Sequence, residues 1–220
     1  MSASVPYAAR LEFRADTHID RWRPLAQWLL AIPQLLIASA LRSLREVLIL
    51  VSLFTVLFTE RIPRPVFDMI AMSYRYEWRA VSYALFMHAD YPPFDFEPSA
   101  ADDGAEPHTT LSVAYPDRLD RWAPLYKWLL AIPHYLVLFV LALGAVFAFL
   151  GGFFTVLFTG EYPAGVRDFL VGVYRYAFRV EAYAGLLTDT YPPLPPGALN
   201  PGRKSHADAP GRAPRSPPRR

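Results

Sequence analysis

The chain has 220 residues, 53% of them apolar and 15% aromatic, with a mean hydropathy of +0.16 and a net charge of +2. That composition points to a lipid environment rather than an ordinary soluble domain. Cysteine is absent, which excludes disulfides, thiolate metal sites and cysteine nucleophiles; six of the 22 basic residues fall in the last 18 positions, so no folded basic surface is expected to meet nucleic acid.

The opening MSASVPYAARLEFRADTHIDR is polar and lacks the apolar core of a cleavable secretory peptide. Within it ARLEFRAD alternates and reads as a short strand. Trp22 and Trp28 stand where the chain enters a long apolar block, where amphipathic rings prefer the headgroup level of a bilayer. The block is interrupted by RSLRE, Arg42 to Glu46. Three charges at the centre of one span would each cost about 2.5 to 3.5 kcal/mol. The block is therefore expected to fold back as a transmembrane or re-entrant hairpin, with arms Leu25 to Leu41 and Val47 to Thr59 and the charges at its apex. A Pro-bounded helix follows, with Asp68, Arg75 and Arg79 on one face among aromatic residues, and Tyr-Pro-Pro stops it. It is expected to lie on the membrane as an interfacial amphipathic helix.

The same order then returns. DRWRPLAQWLLAIP at Asp20 to Pro33 recurs as DRWAPLYKWLLAIP at Asp120 to Pro133, FTVLFT at Phe54 recurs at Phe154, and YRYEWRAVSYA at Tyr74 recurs as YRYAFRVEAYA at Tyr174. An ungapped offset of one hundred over more than seventy residues establishes two copies of one unit. The expected organisation is a first membrane repeat at 8–94, an acidic linker at 95–107, a second repeat at 108–194 and a disordered, basic, Pro-rich tail at 195–220. The fold class expected is mainly α and integral to the membrane, with a short strand before each repeat. The second copy places Trp122 and Trp128 at the start of its apolar block, ALGAV at the apex position Ala142 to Val146, and Asp168, Arg175 and Arg179 on the later helix. Ala38, Ala40, Ala142, Gly144, Gly151 and Gly152 would permit close helix contact. Basic flanks orient both termini toward the cytoplasm.

Arg75, Arg79, Arg175 and Arg179 carry guanidinium forks that suit lipid phosphates or a partner's carboxylates, against the plainer reading of snorkelling arginines with an Asp seven residues before them. His134 follows the helix proline, but copy one has Gln34 there, so a polar boundary residue is expected rather than a duplicated metal or proton site. His88, His108 and His206 are scattered in sequence, so no metal is expected, and no cofactor motif is present. No pair of carboxylates is defended by both copies, and the nucleotide, nucleophile-elbow and zinc-protease motifs are absent, so catalysis has no visible carrier.

The blocks RWxPLxxWLLAIPH, LFTGEYP and YRYxFRVxAYxxLLTDTYPP together resemble a bacterial membrane family of tandem copies, the domain of unknown function of type 4389. The resemblance covers about Ala8 to Leu194 and is better in copy two, since the family's His and Gly fall at His134 and Gly160 but meet Gln34 and Glu60 in copy one. It implies a multi-pass protein of the bacterial cytoplasmic membrane with no assigned activity. The expected function is a non-enzymatic accessory, scaffold or lipid-contacting subunit. Its expected partners are membrane lipids, other membrane proteins or a second copy of itself. A small transporter or channel with a pathway between the repeats is the alternative. A lipid enzyme using His134, Asp168 and Arg175 at the boundary is the third.

Overall fold

The computed structural model describes residues 8–14, 20–102 and 104–194. The elements run β1 (Ala9–Phe13), α1 (Arg23–Thr59), α2 (Arg64–Ala84), β2 (Thr109–Val113), α3 (Ala123–Thr159) and α4 (Ala164–Ala184). The tail from 195 onward lies outside the described residues.

Each apolar block is a single continuous helix of 37 residues, about 55 Å long at a rise of 1.5 Å per residue. The expected turn at Arg42–Glu46 is thereby corrected, and with it the counterpart at Ala142–Val146. The charges thought to need water find partners inside the protein. Arg45 is 3% exposed and pairs with Glu77 Oε2 at 2.7 Å, while Arg42 bonds the other oxygen of the same carboxylate. A paired, hydrogen-bonded charge avoids most of the penalty that an isolated one would meet. Pro33 and Pro133 lie inside the helices and each deletes one backbone donor without ending them.

The hairpin comes one element later. α1 ends at Glu60 (φ 58°) and α3 at Gly160 (φ 76°), both left-handed, with their N–H groups donating to Val56 O and Val156 O. Glycine adopts this conformation freely; Glu60 carries its strain beside Arg118 and Arg121, both of which pair with its carboxylate. The second helix then returns along the first. Gln27, near the start of α1, donates to Tyr83 O near the end of α2, and Arg45 at mid-helix stacks over the Tyr74 ring at 3.8 Å.

The two copies are related by a pseudo-two-fold axis. β1 and β2 pair antiparallel with Leu11 opposite Leu111, so equivalent residues of the two copies meet at the centre of the ribbon. The same reciprocity recurs one layer down, where Tyr74 meets Phe178 at 5.2 Å and Trp78 meets Tyr174 at 4.5 Å. α1 and α3 accordingly run antiparallel. The end of α1 adjoins the start of α3 through Glu60 and Arg121, and Phe86, just past α2, stacks on Phe149 in the last third of α3. Each strand precedes one copy yet rests on the second helix of the other: Arg175 of α4 donates to Leu11 O, and β2 packs on α2.

Three layers result: the long helices α1 and α3, then α2 and α4, then the ribbon with the connecting segment. The expected interfacial position of α2 is corrected. Its Tyr76, Trp78, Arg79 and Tyr83 are among the most buried large side chains, because both neighbouring layers cover it. The Asp pairing expected on its face is also different: Asp68 accepts from Arg64 at 3.0 Å, one turn before it, and Asp168 lies 3.5 Å from Arg167.

Candidate functional site

The long helices are arranged inside out. On α1 the stripe turned to the protein holds Gln27, Ala31, Gln34, Ala38, Arg45, Ser52 and Val56, at spacings of three, four and seven that keep one face. The outward stripe holds Leu25, Leu29, Ile32, Leu36, Val47, Leu50, Phe54 and Phe58, each at least 46% exposed. α3 repeats the inversion: Lys127 and His134 are buried, while Leu129, Leu136, Phe139, Phe147 and Phe158 are at least 54% exposed. A helix on the surface of a water-soluble protein shows the opposite polarity. α3 is also long and apolar enough to cross a membrane, with a window of mean hydropathy 2.6 of which 11% is buried.

Behind this face runs a polar seam that ties α1 and α3 to the rest of the chain. At one end the Gln27 amide donates to Tyr83 O and His88 O, both at 2.9 Å. At the equivalent place the Lys127 ammonium donates to Thr188 O at 2.7 Å and to Asp189 Oδ1 at 2.6 Å. One turn pair further, Tyr76 donates to Gln34 Oε1 at 2.5 Å, and the Tyr176 hydroxyl bonds His134 Nδ1 at 2.6 Å. His134 is 1% exposed. His134 is therefore a buried, hydrogen-bonded side chain, and the Gln/His difference between the copies keeps a bond instead of abolishing a site.

At the centre of the seam the symmetry is broken. Arg45, Glu77 and Glu181 have Ala145, Ala177 and Val81 as their counterparts. Arg45 and Glu181 line a cavity of about 290 Å³ together with Arg42, Glu46, Tyr74 and Tyr135. Arg45 Nη1 is buried with no hydrogen-bond partner. Burial pushes the Glu181 carboxyl above the ordinary range, with Arg45 pulling the other way and Glu77 adding repulsion. The Tyr74 phenol is pushed up by burial in the same cluster. This is a mixed-charge pocket between the copies, opening beside the apolar face.

The arginines singled out by sequence do not reach that face. Arg75 is 2% exposed and donates to the carbonyls of Glu97, Ser99 and Ala101 at 2.9 to 3.0 Å. Arg79 pairs with Asp95 at 2.8 Å and Asp102 at 3.1 Å. Their expected grip on lipid phosphates is corrected: they dock the acidic connecting segment onto α2. Arg175 and Arg179 are half-buried on the matching face of α4. Trp22, Trp28, Trp122 and Trp128 stay exposed, at 60 to 64%, at the starts of α1 and α3. Asp168 and Arg175 lie on α4 without joining His134, whose ring meets Tyr176 and Tyr191.

Sequence reading missed Arg45, Glu77 and Glu181, because each is present in one copy alone. It also read His88 and His108 as scattered, whereas their rings stack at 5.0 Å. His88, Glu106 and His108 bring one ligand atom each within 4.8 Å of the others, the cluster best able to hold a metal ion among the described residues. The remaining histidine of that reading, His206, lies outside the described residues.

A family described as a domain of unknown function (DUF4389) matches residues 21–95 and again residues 121–194. No curated protein matches the chain, and no solved structure does.

Proposed function

This chain belongs to the DUF4389 family in two tandem copies, and from that premise we propose that it is a membrane protein whose α1 and α3 form a lipid-embedded layer. It acts by binding, as an accessory or scaffold subunit in contact with lipid, rather than by turnover. The observation that carries the reading is the inverted polarity of both long helices: glutamine, arginine, lysine and histidine inside, leucine and phenylalanine outside. Exposed apolar area on this scale is unfavourable in water by about 25 cal/mol per Å² and costs nothing in hydrocarbon.

The outward stripes run the whole length of helices of 37 residues. A hydrocarbon core of about 30 Å covers roughly 20 residues of an upright helix. Lying in the membrane plane immerses the entire stripe, places the four tryptophans at headgroup depth, and leaves the ribbon and connecting segment in water. A second reading, in which α3 crosses the bilayer, is favoured by the charge-free run from Trp128 to Thr159.

Flotation with liposomes tests the membrane reading: the protein should rise with vesicles and resist alkaline carbonate, and the double variant Leu136→Glu/Phe139→Glu should stay at the bottom. Recovery of the unaltered chain as a detergent-free soluble monomer would overturn it. The chain has no cysteine, so Asp117→Cys and Glu161→Cys report cleanly on the two ends of α3. Labelling by an impermeant maleimide from one side supports the in-plane arrangement, and labelling from opposite sides supports the crossing.

A further inference from the structure

We propose that His88, Glu106 and His108 form a binding site for a divalent transition-metal ion of the zinc class. All three come from the stretch between α2 and β2: His88 just past α2, and Glu106 and His108, two residues apart and eighteen or more further on, immediately before β2. His88 is 0% and Glu106 2% exposed, and one ligand atom from each of the three lies within 4.8 Å of the others. Two imidazoles and a carboxylate are a donor set that zinc accepts, with bonds of about 2.0 to 2.2 Å. Closing the cluster around an ion needs a contraction of about 1.5 Å at most.

The hydrogen bonds orient both rings for this. Ser82 Oγ donates its one proton to Arg79 O at 3.1 Å, so toward His88 Nε2, also 3.1 Å away, it can only accept. That assigns the ring proton of His88 to Nε2 and its lone pair to Nδ1. His108 Nδ1 lies 3.2 Å from Arg14 O, a carbonyl to which it must donate. In the neutral ring this leaves Nε2 as an acceptor, yet Nε2 stands 2.9 Å from Asp90 Oδ2, a second acceptor. The buried Glu106 carboxylate is held beside them by accepting from His108 N–H at 2.9 Å. A ligating histidine held by a carbonyl or carboxylate at its other nitrogen is the usual support of such sites.

The site belongs to copy one alone, since Thr188 stands at the position of His88. A metal ion there would staple the end of β1, the end of α2 and the connecting segment at one point.

The test uses the full chain in detergent or nanodiscs with any purification tag removed, and Zn²⁺ and Co²⁺ as probes. One equivalent of zinc by elemental analysis, and a visible Co²⁺ spectrum typical of tetrahedral nitrogen and oxygen ligation, are the expected results. His108→Gln and Glu106→Gln should each lower Zn²⁺ affinity by at least tenfold, and His206→Ala not at all. Glu106→Gln is isosteric, and its metal-free melting temperature should match or exceed that of the parent, which separates lost ligation from lost folding. Zinc at background level, or equal binding by the parent and the His108→Gln/Glu106→Gln double variant, would overturn the proposal.

Discussion

Tyr76 donates its hydroxyl proton to Gln34 Oε1 at 2.5 Å, and one hundred residues later the Tyr176 hydroxyl makes the equivalent bond to His134 Nδ1 at 2.6 Å. Two different acceptors thus serve one donor position in a seam behind the outward apolar stripes of α1 and α3. Leaving either acceptor buried and unbonded costs about 1 to 3 kcal/mol. Tyr176→Phe should lose that amount in thermal or denaturant unfolding in micelles. His134→Gln, which copies Gln34, should be tolerated within about 1 kcal/mol. If His134→Gln destabilises as much as His134→Leu, the equivalence of the two bonds is refuted.

Arg45 and Glu77 form the buried pair that lets α1 run straight through its charged midpoint. Removing one partner of such a pair costs about 3 to 5 kcal/mol, because the other charge is stranded. Arg45→Leu should therefore be severely destabilising, and adding Glu77→Leu should recover most of the loss. A double-mutant cycle reads this directly. Additive losses from the two changes would show that the pair does not act as a unit.

Gly151 and Gly152 are neighbours with opposite surroundings. A Cβ at Gly151 meets nothing within 4 Å, whereas one at Gly152 comes within 2.9 Å of the Tyr162 hydroxyl and 3.4 Å of Val166. Gly151→Ala should stabilise the helix by about 0.5 to 1 kcal/mol. Gly152→Val should destabilise by about 1 to 3 kcal/mol as α3 is pushed off the start of α4. Melting temperatures of the two variants give the sign in each case, and equal shifts would contradict the close approach.

The Glu181 carboxyl is raised above its ordinary value of 4.5 by burial, so the folded chain keeps its proton at a pH where the unfolded chain has lost it. Its contribution to stability is complete below the unfolded value and disappears as pH rises through the folded one. Stability measured upward from pH 4.5 should fall more steeply in the parent protein than in Glu181→Gln. Parallel profiles would show that Glu181 ionises in the folded state as freely as in the unfolded chain.

Much of the architecture was legible along the chain. The one-hundred-residue offset announced two copies, the alternation at Ala9 and Thr109 announced the strands, and the LFT-x-x-x-P exits marked where the long helices stop. The charged RSLRE segment misled because local arithmetic counts each charge alone. Glu77, its partner, lies 32 positions away, on a helix whose own pattern suggested a membrane surface. The aromatic and arginine pattern of α2 was read by its face, but both faces are covered, one by α1 and the other by β2 and the acidic segment.

By itself the sequence determined the duplication, the helical class and the apolar character of two long segments, since repeat, periodicity and composition are all properties of neighbours in the chain. Only the tertiary structure decided that the copies face each other antiparallel across Leu11 and Leu111, that polar side chains of α1 and α3 turn inward, and that His88, Glu106 and His108 converge. Those outcomes depend on which distant groups compensate one another when water is removed. Pairing energy of that kind is a function of distance in space, and sequence separation does not encode it.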